Sequence, residues 1–366
     1  MKCVTAIWKL QSSGGSVGEN RKVIDKVDYS GRVDTLRGIA CLFLVFFHLV
    51  GNTAATGLKL QTDSYYLIVN QVLENIRMPL FSFLGGIVFA MRPQTYNATE
   101  LLYGKIKRLI IPLFFVGIPF LYIKSQSGLA HVESKIENFT DYFNVLWMSV
   151  GHFWFLQSMF LVFIVFCIFN LIRFDYKKNI LFIFLFSILL SFIIPDDVSF
   201  FSISGFSFLF PYFLFGMICH FYKDRINGAS EGKGLFSYFC YSVFFILMLL
   251  KFNFVVNGIE VDRISFFCMS LSMFSLIVLL MSIKKSTPLI FIGKLSFTIY
   301  LYHIFFIAFS RKILSIINYD NVELNIFFGL CVTVFFSWLL DAICKRYNLL
   351  WVFIGTYPKA YNKAKF

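Results

Sequence analysis

The residues of this chain best placed to do chemistry in an apolar setting are an arginine where an apolar run begins and a histidine where it ends. They lie in GRVDTLRGIACLFLVFFHLVG, residues 31–51, which carries Arg32, Asp34 and Arg37 and then His48. Arg37 and His48 are eleven residues apart. On an α-helix that spacing turns through about 1100°, three turns plus roughly 20°, so both fall on one stripe about 16 Å apart along the axis. An imidazole is suited to proton abstraction near neutral pH. Arginine forks match phosphate oxygens. A cation at the mouth of a membrane helix and an imidazole deep inside it are costly to keep without a use. The plainer alternative is a snorkelling arginine and a histidine hydrogen-bonded within a bundle.

Two further histidines belong with this pair. His152 opens an apolar run in GHFWFLQ, and His303 stands within another in GKLSFTIYLYHIFF. With His48 they could share one level of a helix bundle. For each, a packed histidine bonded to a backbone carbonyl is as good a reading as a functional one. His220 at a helix end is explained by the helix dipole, and His131 falls in a loop. No HxxxH, HxxH or HExxH spacing occurs, so no metal site is expected. A second basic cluster, Lys105, Lys107 and Arg108, precedes the apolar IIP. It reads either as a topology signal with lipid-headgroup contacts or as a cationic mouth for a ligand bearing phosphates. Neither a GxxxxGK[ST] loop nor a GxSxG elbow is present. Asp341 is the one acid well inside an apolar run, where a nearby lysine or arginine could pair with it.

The elements that must position these groups are membrane helices. Of 366 residues, 58% are hydrophobic and only 14% charged, and mean hydropathy is +0.74. A soluble domain carries nearer 25% charged residues, so an all-α, polytopic membrane bundle is expected. The 50 phenylalanines are spread over every apolar run and suit packing and lipid contact. The eight cysteines form no CxxC pair and read as small buried hydrophobes. Ten apolar spans are expected, at about 34–52, 75–91, 108–124, 151–172, 179–195, 203–221, 235–251, 263–283, 289–309 and 325–344, the fifth of them short. Amphipathic or irregular pieces are expected near 62–74 and 136–150. Pro79, in MPLFSFLGG (78–86), fits a first helical turn, and Gly85 and Gly86 fit close helix packing.

Residues 1–30 read as a polar cytoplasmic tail without an apolar leader, 31–350 as the membrane domain and 351–366 as a basic cytoplasmic tail. The net charge of +13 sits mostly in alternate loops, the positive-inside pattern, which places both termini inside and disfavours nucleic acid as a partner. Arg311 and Lys312 go against that pattern. A transporter or flippase of a lipid-linked glycan, its buried charges lining a pathway, is an alternative on the residues alone. A non-catalytic membrane scaffold is a third reading, and it leaves the stripe from Arg37 to His48 without a use.

Taken together, RVDTLRGIA followed by His48 resembles the signature of the acyltransferase-3 family of integral-membrane acyltransferases. MPLFSFLGG resembles that family's second-helix motif, KIKRLIIP its basic motif before the third helix, HFWFLQSMFLVF its Trp-Phe-Leu segment, and GKLSFTIYLYH its late Ser-aromatic-x-x-Tyr-Leu-x-His motif. These matches run in family order over about residues 32–344. The resemblance implies ten membrane helices and transfer of an acyl group, usually acetyl, from acyl-coenzyme A to a hydroxyl. The acceptor would be a glycan or lipid-linked glycan such as O-antigen or another surface polysaccharide, and the location a bacterial inner membrane, among membrane lipids. Acetyl-coenzyme A would be a co-substrate and no cofactor would be held permanently.

By position, His48 would be the catalytic base and Arg37 would complete its arginine-x10-histidine motif, with Asp34 beside it. Arg32, Arg37, Lys105 and Arg108 would bind the donor's phosphates. His152, Trp154, Tyr302 and His303 would serve the acceptor or the developing oxyanion. Gly85 stands where the family often has serine, and Lys105 where arginine is frequent. The resemblance leaves the acceptor hydroxyl and the oligomeric state open.

Overall fold

The computed structural model describes residues 17–91, 97–126, 138–223, 235–262, 264–347 and 351–355. Among them the regular structure is helical, with one isolated bridge between Met148 and Phe200. The helices are α1 (Val17–Val50), α2 (Tyr65–Val72), α3 (Glu74–Ala90), α4 (Ala98–Lys105), α5 (Ile111–Gln126), α6 (Trp154–Leu171), α7 (Ile180–Ile193), α8 (Ile203–Phe221), α9 (Leu235–Val256), α10 (Phe266–Ser282), α11 (Thr287–Lys294), α12 (Ser296–Ile316) and α13 (Val322–Arg346). The piece expected near 62–74 is α2, and the one near 136–150 contains a 3-10 turn over Phe139–Leu146.

Each of the ten expected spans carries a helix, but they are not equal. Among the described residues seven segments are long and apolar enough to cross a bilayer: Tyr29–Val50, Ala98–Gln126, Gly151–Leu171, Ile203–Phe221, Leu235–Val256, Ser296–Ile316 and Val322–Arg346. The α2–α3 pair joins them only as one span bent by 41°. α7 and α10, with 14 and 17 residues, are shorter. At 1.5 Å per residue, α7 spans about 21 Å against a hydrocarbon core of about 30 Å. The protein is a multi-pass integral membrane protein.

Four local expectations change. The N-terminal tail does not stop at residue 30 as irregular chain, because α1 is helical from Val17. Residues 18–31 contain no proline, and Val23, Ile24 and Val27 continue the helical apolar spacing toward Val33 and Leu36. Residues 1–16 and 356–366 of the two tails, and His131, lie outside the described residues. Pro79 is not in a first turn but inside α3. It has no N–H for the carbonyl of Asn75, and Ser272 Oγ on α10 donates to that carbonyl instead, at 2.6 Å.

The basic cluster does not open its helix. The span begins at Ala98, and Lys107 and Arg108 lie in a π-helical turn, Ile106–Ile110. Pro112 follows and cannot donate to the Arg108 carbonyl, and a widened turn is one way a helix accommodates such a ring. Finally, Arg311 breaks the charge pattern because it is turned back into the bundle, as described below. Of the described cysteines, Cys331 is exposed and the other six are buried, all as free thiols. Asp341 pairs with Lys345 one turn away at 2.5 Å.

Two helix crossings set the heights of the functional groups. At the first, a β-carbon at Gly38 of α1 would stand 2.2 Å from the Leu289 carbonyl oxygen of α11, and one at Gly293 would stand 2.0 Å from that of Asp34. Each glycine thus admits the other helix's backbone. At the second, Gly86 of α3 faces the Phe213 carbonyl of α8, and Gly216 faces that of Phe83. The first crossing fixes α12, which follows α11 after one residue, beside and parallel to α1. Leu295, Ile299 and Ile307 pack with Cys41, Val45 and Leu49. α13 runs the other way, with Ile326 in contact with the Val50 end of α1.

Candidate active site

His48 lies ten residues beyond Gly38, and His303 ten beyond Gly293. The crossing of those two glycines therefore brings both histidines to one height, about 15 Å further along. Their ring centroids are 4.8 Å apart. His152, in the short 3-10 turn that leads into α6, completes the group with its ring 5.0 Å from His303. Two helices and the 3-10 turn before a third thus deliver three imidazoles to one place, as their placement in the sequence allowed.

The hydrogen bonding of these rings is uneven. His303 Nδ1 lies 2.8 Å from the Tyr300 carbonyl and 3.1 Å from that of Ile299. Carbonyls only accept, so in the neutral ring Nδ1 carries the proton and Nε2 keeps a bare lone pair. That Nε2 is buried and has no partner, and neither ring nitrogen of His152 makes a hydrogen bond of ordinary geometry. Buried polar atoms are satisfied in the great majority of cases. Three buried ring nitrogens without an ordinary hydrogen bond thus lie close together. The packed-histidine reading is therefore half right for His303: one nitrogen belongs to its helix and the other does not.

Around the histidines lie residues to which the sequence reading gave no role. Tyr300 hydroxyl donates to the His152 carbonyl and so ties α12 to the turn before α6. Its position three residues before His303 places it on the same helix face, which was the available signal. Arg77 on α3 is buried, with its guanidinium 3.8 Å from the centre of the Phe47 ring. The Phe47 ring in turn lies 4.6 Å from that of His48. Arg77 Nη1 donates to Asn70 Oδ1 at 2.5 Å, and Asn70 Nδ2 donates to the Gly51 carbonyl at 2.5 Å. Arg311 Nη2 donates to the carbonyls of His48 and Leu49, at 2.9 and 2.6 Å. The last carbonyls of a helix lack intrahelical partners and favour a cation. Arg311 supplies that cation from α12 and fixes the turn that carries His48. Its clash with the loop-charge pattern was the clue.

This makes a prediction for Arg311→Ala. Losing two charge-assisted bonds to carbonyls that stay inside the bundle should cost about 2–3 kcal/mol. The thermal unfolding midpoint of the purified protein in lipid nanodiscs should fall accordingly, and an unchanged midpoint would contradict the capping role.

The other predicted residues are placed as follows. Asp34 and Arg37 form an ion pair at 3.1 Å, one turn apart on α1. Arg32 Nη2 donates to the Leu280 carbonyl of α10 at 2.5 Å. Lys105 Nζ stands 3.3 Å from the centre of the Phe163 ring of α6, and Arg108 is exposed in the π turn. The two basic pairs thus rest on different neighbours. Trp154 turns toward α8, where a β-carbon at Gly205 would meet its ring at 2.7 Å. Tyr302 hydroxyl donates to the Phe353 carbonyl at 3.0 Å, which commits it to the C-terminal 3-10 turn, and Tyr300 is the tyrosine beside the histidines. Among the described residues no three His, Cys, Asp or Glu side chains are arranged to hold a metal ion.

No curated protein and no solved structure matches the chain. The acyltransferase-3 family, described as an acyltransferase domain, matches residues 31–342. That match begins one residue before Arg32, takes in all the histidines and basic residues just described, and ends inside α13. With almost the whole membrane bundle inside the match, the chain belongs to the acyltransferase-3 family of membrane acyltransferases.

Proposed function

We propose that the protein is an O-acyltransferase that moves an acetyl or other short acyl group from acyl-coenzyme A to a hydroxyl of a surface glycan or its lipid-linked precursor, with His48 as general base. The observation that carries this reading is the meeting of His48, His303 and His152 at the end of α1, an unbroken helix that carries Arg37 about three turns earlier. The phosphates of coenzyme A sit at the end of α1 that carries Arg32 and Arg37, with Lys105 and Arg108 as the second basic pair. The flexible arm of the donor runs along α1 and covers the roughly 16 Å from Arg37 to His48. There His48 takes the proton of the acceptor hydroxyl as its oxygen attacks the thioester carbonyl carbon. The carbon–sulfur bond then breaks, and the proton passes from His48 to the leaving thiolate. His303 Nε2, acceptor-only, takes the hydrogen of a second hydroxyl of the acceptor and so holds the reacting one toward His48. In this reading the Arg37 end faces the cytoplasm of a bacterial cell, where acyl-coenzyme A is made, and the acceptor meets His48 from the opposite half of the bundle.

The reading is tested by thiol release from acetyl-coenzyme A in membranes containing the protein, with and without a candidate glycan. Glycan-dependent release supports it, and glycan movement without thiol release would favour a transporter. Arg37→Ala should raise the KM for acetyl-coenzyme A about tenfold or more, the value of one charge-assisted bond to a phosphate. If KM and maximal rate both stay at wild-type values, the phosphate role fails.

A further inference from the structure

Arg77 is the best-buried cation near the histidines, with 6% of its surface exposed. Among the described residues no carboxylate lies within salt-bridge distance of it or of Arg311. Glu74, three residues before Arg77 on α3, is exposed and acts on it electrostatically without a direct salt bridge. A buried guanidinium whose one carboxylate partner is exposed and not in direct contact is expensive to keep. Its protein hydrogen bonds are made by Nη1 alone, both to Asn70. Asn70 is itself held by the Gly51 carbonyl, so the amide presents its oxygen to Arg77 and fixes the fork. Nη2 and Nε make no protein hydrogen bond and are not sealed from solvent-sized space. One side of a rigid guanidinium is therefore left for a ligand, in the geometry that takes a carboxylate or phosphate. Arg311 adds a second cation in electrostatic range of His48 from another helix.

The distance from His48 decides what that ligand is. An oxyanion formed at the thioester carbon needs its donors within about 3 Å. Arg77 is a layer away: its guanidinium lies on Phe47, and Phe47 lies against His48. It is set to hold a charged group some distance from the reacting hydroxyl on the same molecule. We propose that Arg77 is a specificity residue for an anionic acceptor, a glycan whose carboxylate or linked phosphate docks on the fork while its hydroxyl reaches His48. This rests on the acyl-transfer reading of the His48 site for the identity of the ligand, but the recognition itself is read by binding.

The test uses the full-length protein in lipid nanodiscs and two matched pairs of probes, trigalacturonic acid with its methyl ester, and glucose 1-phosphate with glucose. Thermal unfolding is followed with each. The charged member of at least one pair should raise the midpoint at concentrations at least tenfold lower than its neutral partner. The pair that shows the preference tells carboxylate from phosphate. His48→Ala should keep the preference even though it cannot transfer acyl groups, which separates failure of this proposal from failure of the catalytic one. Arg77→Gln should lose the preference, and Arg77→Lys, which keeps the charge, should retain part of it. Equal effects of charged and neutral probes on the wild type would overturn the proposal even if no variant folds, and so would an undiminished preference in Arg77→Gln.

Discussion

Replacing His48 with alanine should lower acyl transfer by about a hundred- to ten-thousand-fold, the usual contribution of a positioned general base, while leaving the amount of folded protein in the membrane nearly unchanged. The second half of this expectation follows from the packing. His48 is only half-buried, and Arg311 holds the turn beneath it through backbone carbonyls that alanine retains. The substitution therefore removes an imidazole without removing the helix end. His303→Ala should behave differently. That ring is fully buried, and its Nδ1 bonds two carbonyls of its own helix. Its loss should cost about 1–3 kcal/mol of stability as well as rate. Acyl transfer assayed in membranes, normalised to folded protein, checks both. Wild-type transfer by His48→Ala would remove His48 from the chemistry.

Gly85 and Gly86 are adjacent, yet alanine should be tolerated at the first and not at the second. At position 86 the new β-carbon would fall 1.9 Å from the Phe213 carbonyl oxygen, a backbone atom of a neighbouring helix. Real carbon–oxygen contacts are far longer, so α3 and α8 would have to part along their whole crossing. Ordinary overpacking costs about 1–3 kcal/mol, and a backbone-to-backbone clash at the closest crossing of the bundle should exceed that. At position 85 the nearest atom is Met159 Cε at 3.3 Å, the end of a flexible side chain. The same argument covers serine at 85, whose hydroxyl adds one atom toward the same flexible side chain. Size-exclusion chromatography of the detergent-extracted variants should show a monodisperse Gly85→Ala and an aggregated or unstable Gly86→Ala. Equal behaviour of the two would mean that the crossing is looser than its glycines imply.

Much of this was legible in the sequence, and the reason is physical. In lipid a helix must be apolar almost throughout, so Arg37, His48, His152 and His303 stand out against it. The common height of the three histidines followed from counting residues along helices, and the ten-residue spacings from Gly38 and Gly293 show why the count works. What was not legible depends on direction around a helix and on partners far away in sequence. Tyr302 and Tyr300 are two residues apart and point to different neighbours, Tyr302 to the Phe353 carbonyl and Tyr300 to His152, which the motif alone does not tell. Arg77 sits beside a proline motif that drew attention to Pro79 and its glycines. Its importance appears only once α2 folds back to place Asn70 against it. Arg311 was visible as an exception to the charge pattern, but nothing local tied it to the end of α1, more than 260 residues earlier. The shortness of the fifth span, α7, was legible as a short apolar run, and that of α10 was not, because hydropathy marks an apolar run well and its helical ends poorly.

The central claim is that the histidine cluster joins an acyl donor to a hydroxyl within the bundle. It is tested most directly by giving the purified full-length protein, reconstituted in liposomes, acetyl-coenzyme A labelled in the acetyl group together with a lipid-extracted glycan pool. The wild type should release free thiol and place label in the glycan in equal amounts, as a base-labile ester, and His48→Ala should do neither. Thiol release and glycan labelling that persist unchanged in His48→Ala, or glycan crossing the bilayer with no label transferred, would contradict it.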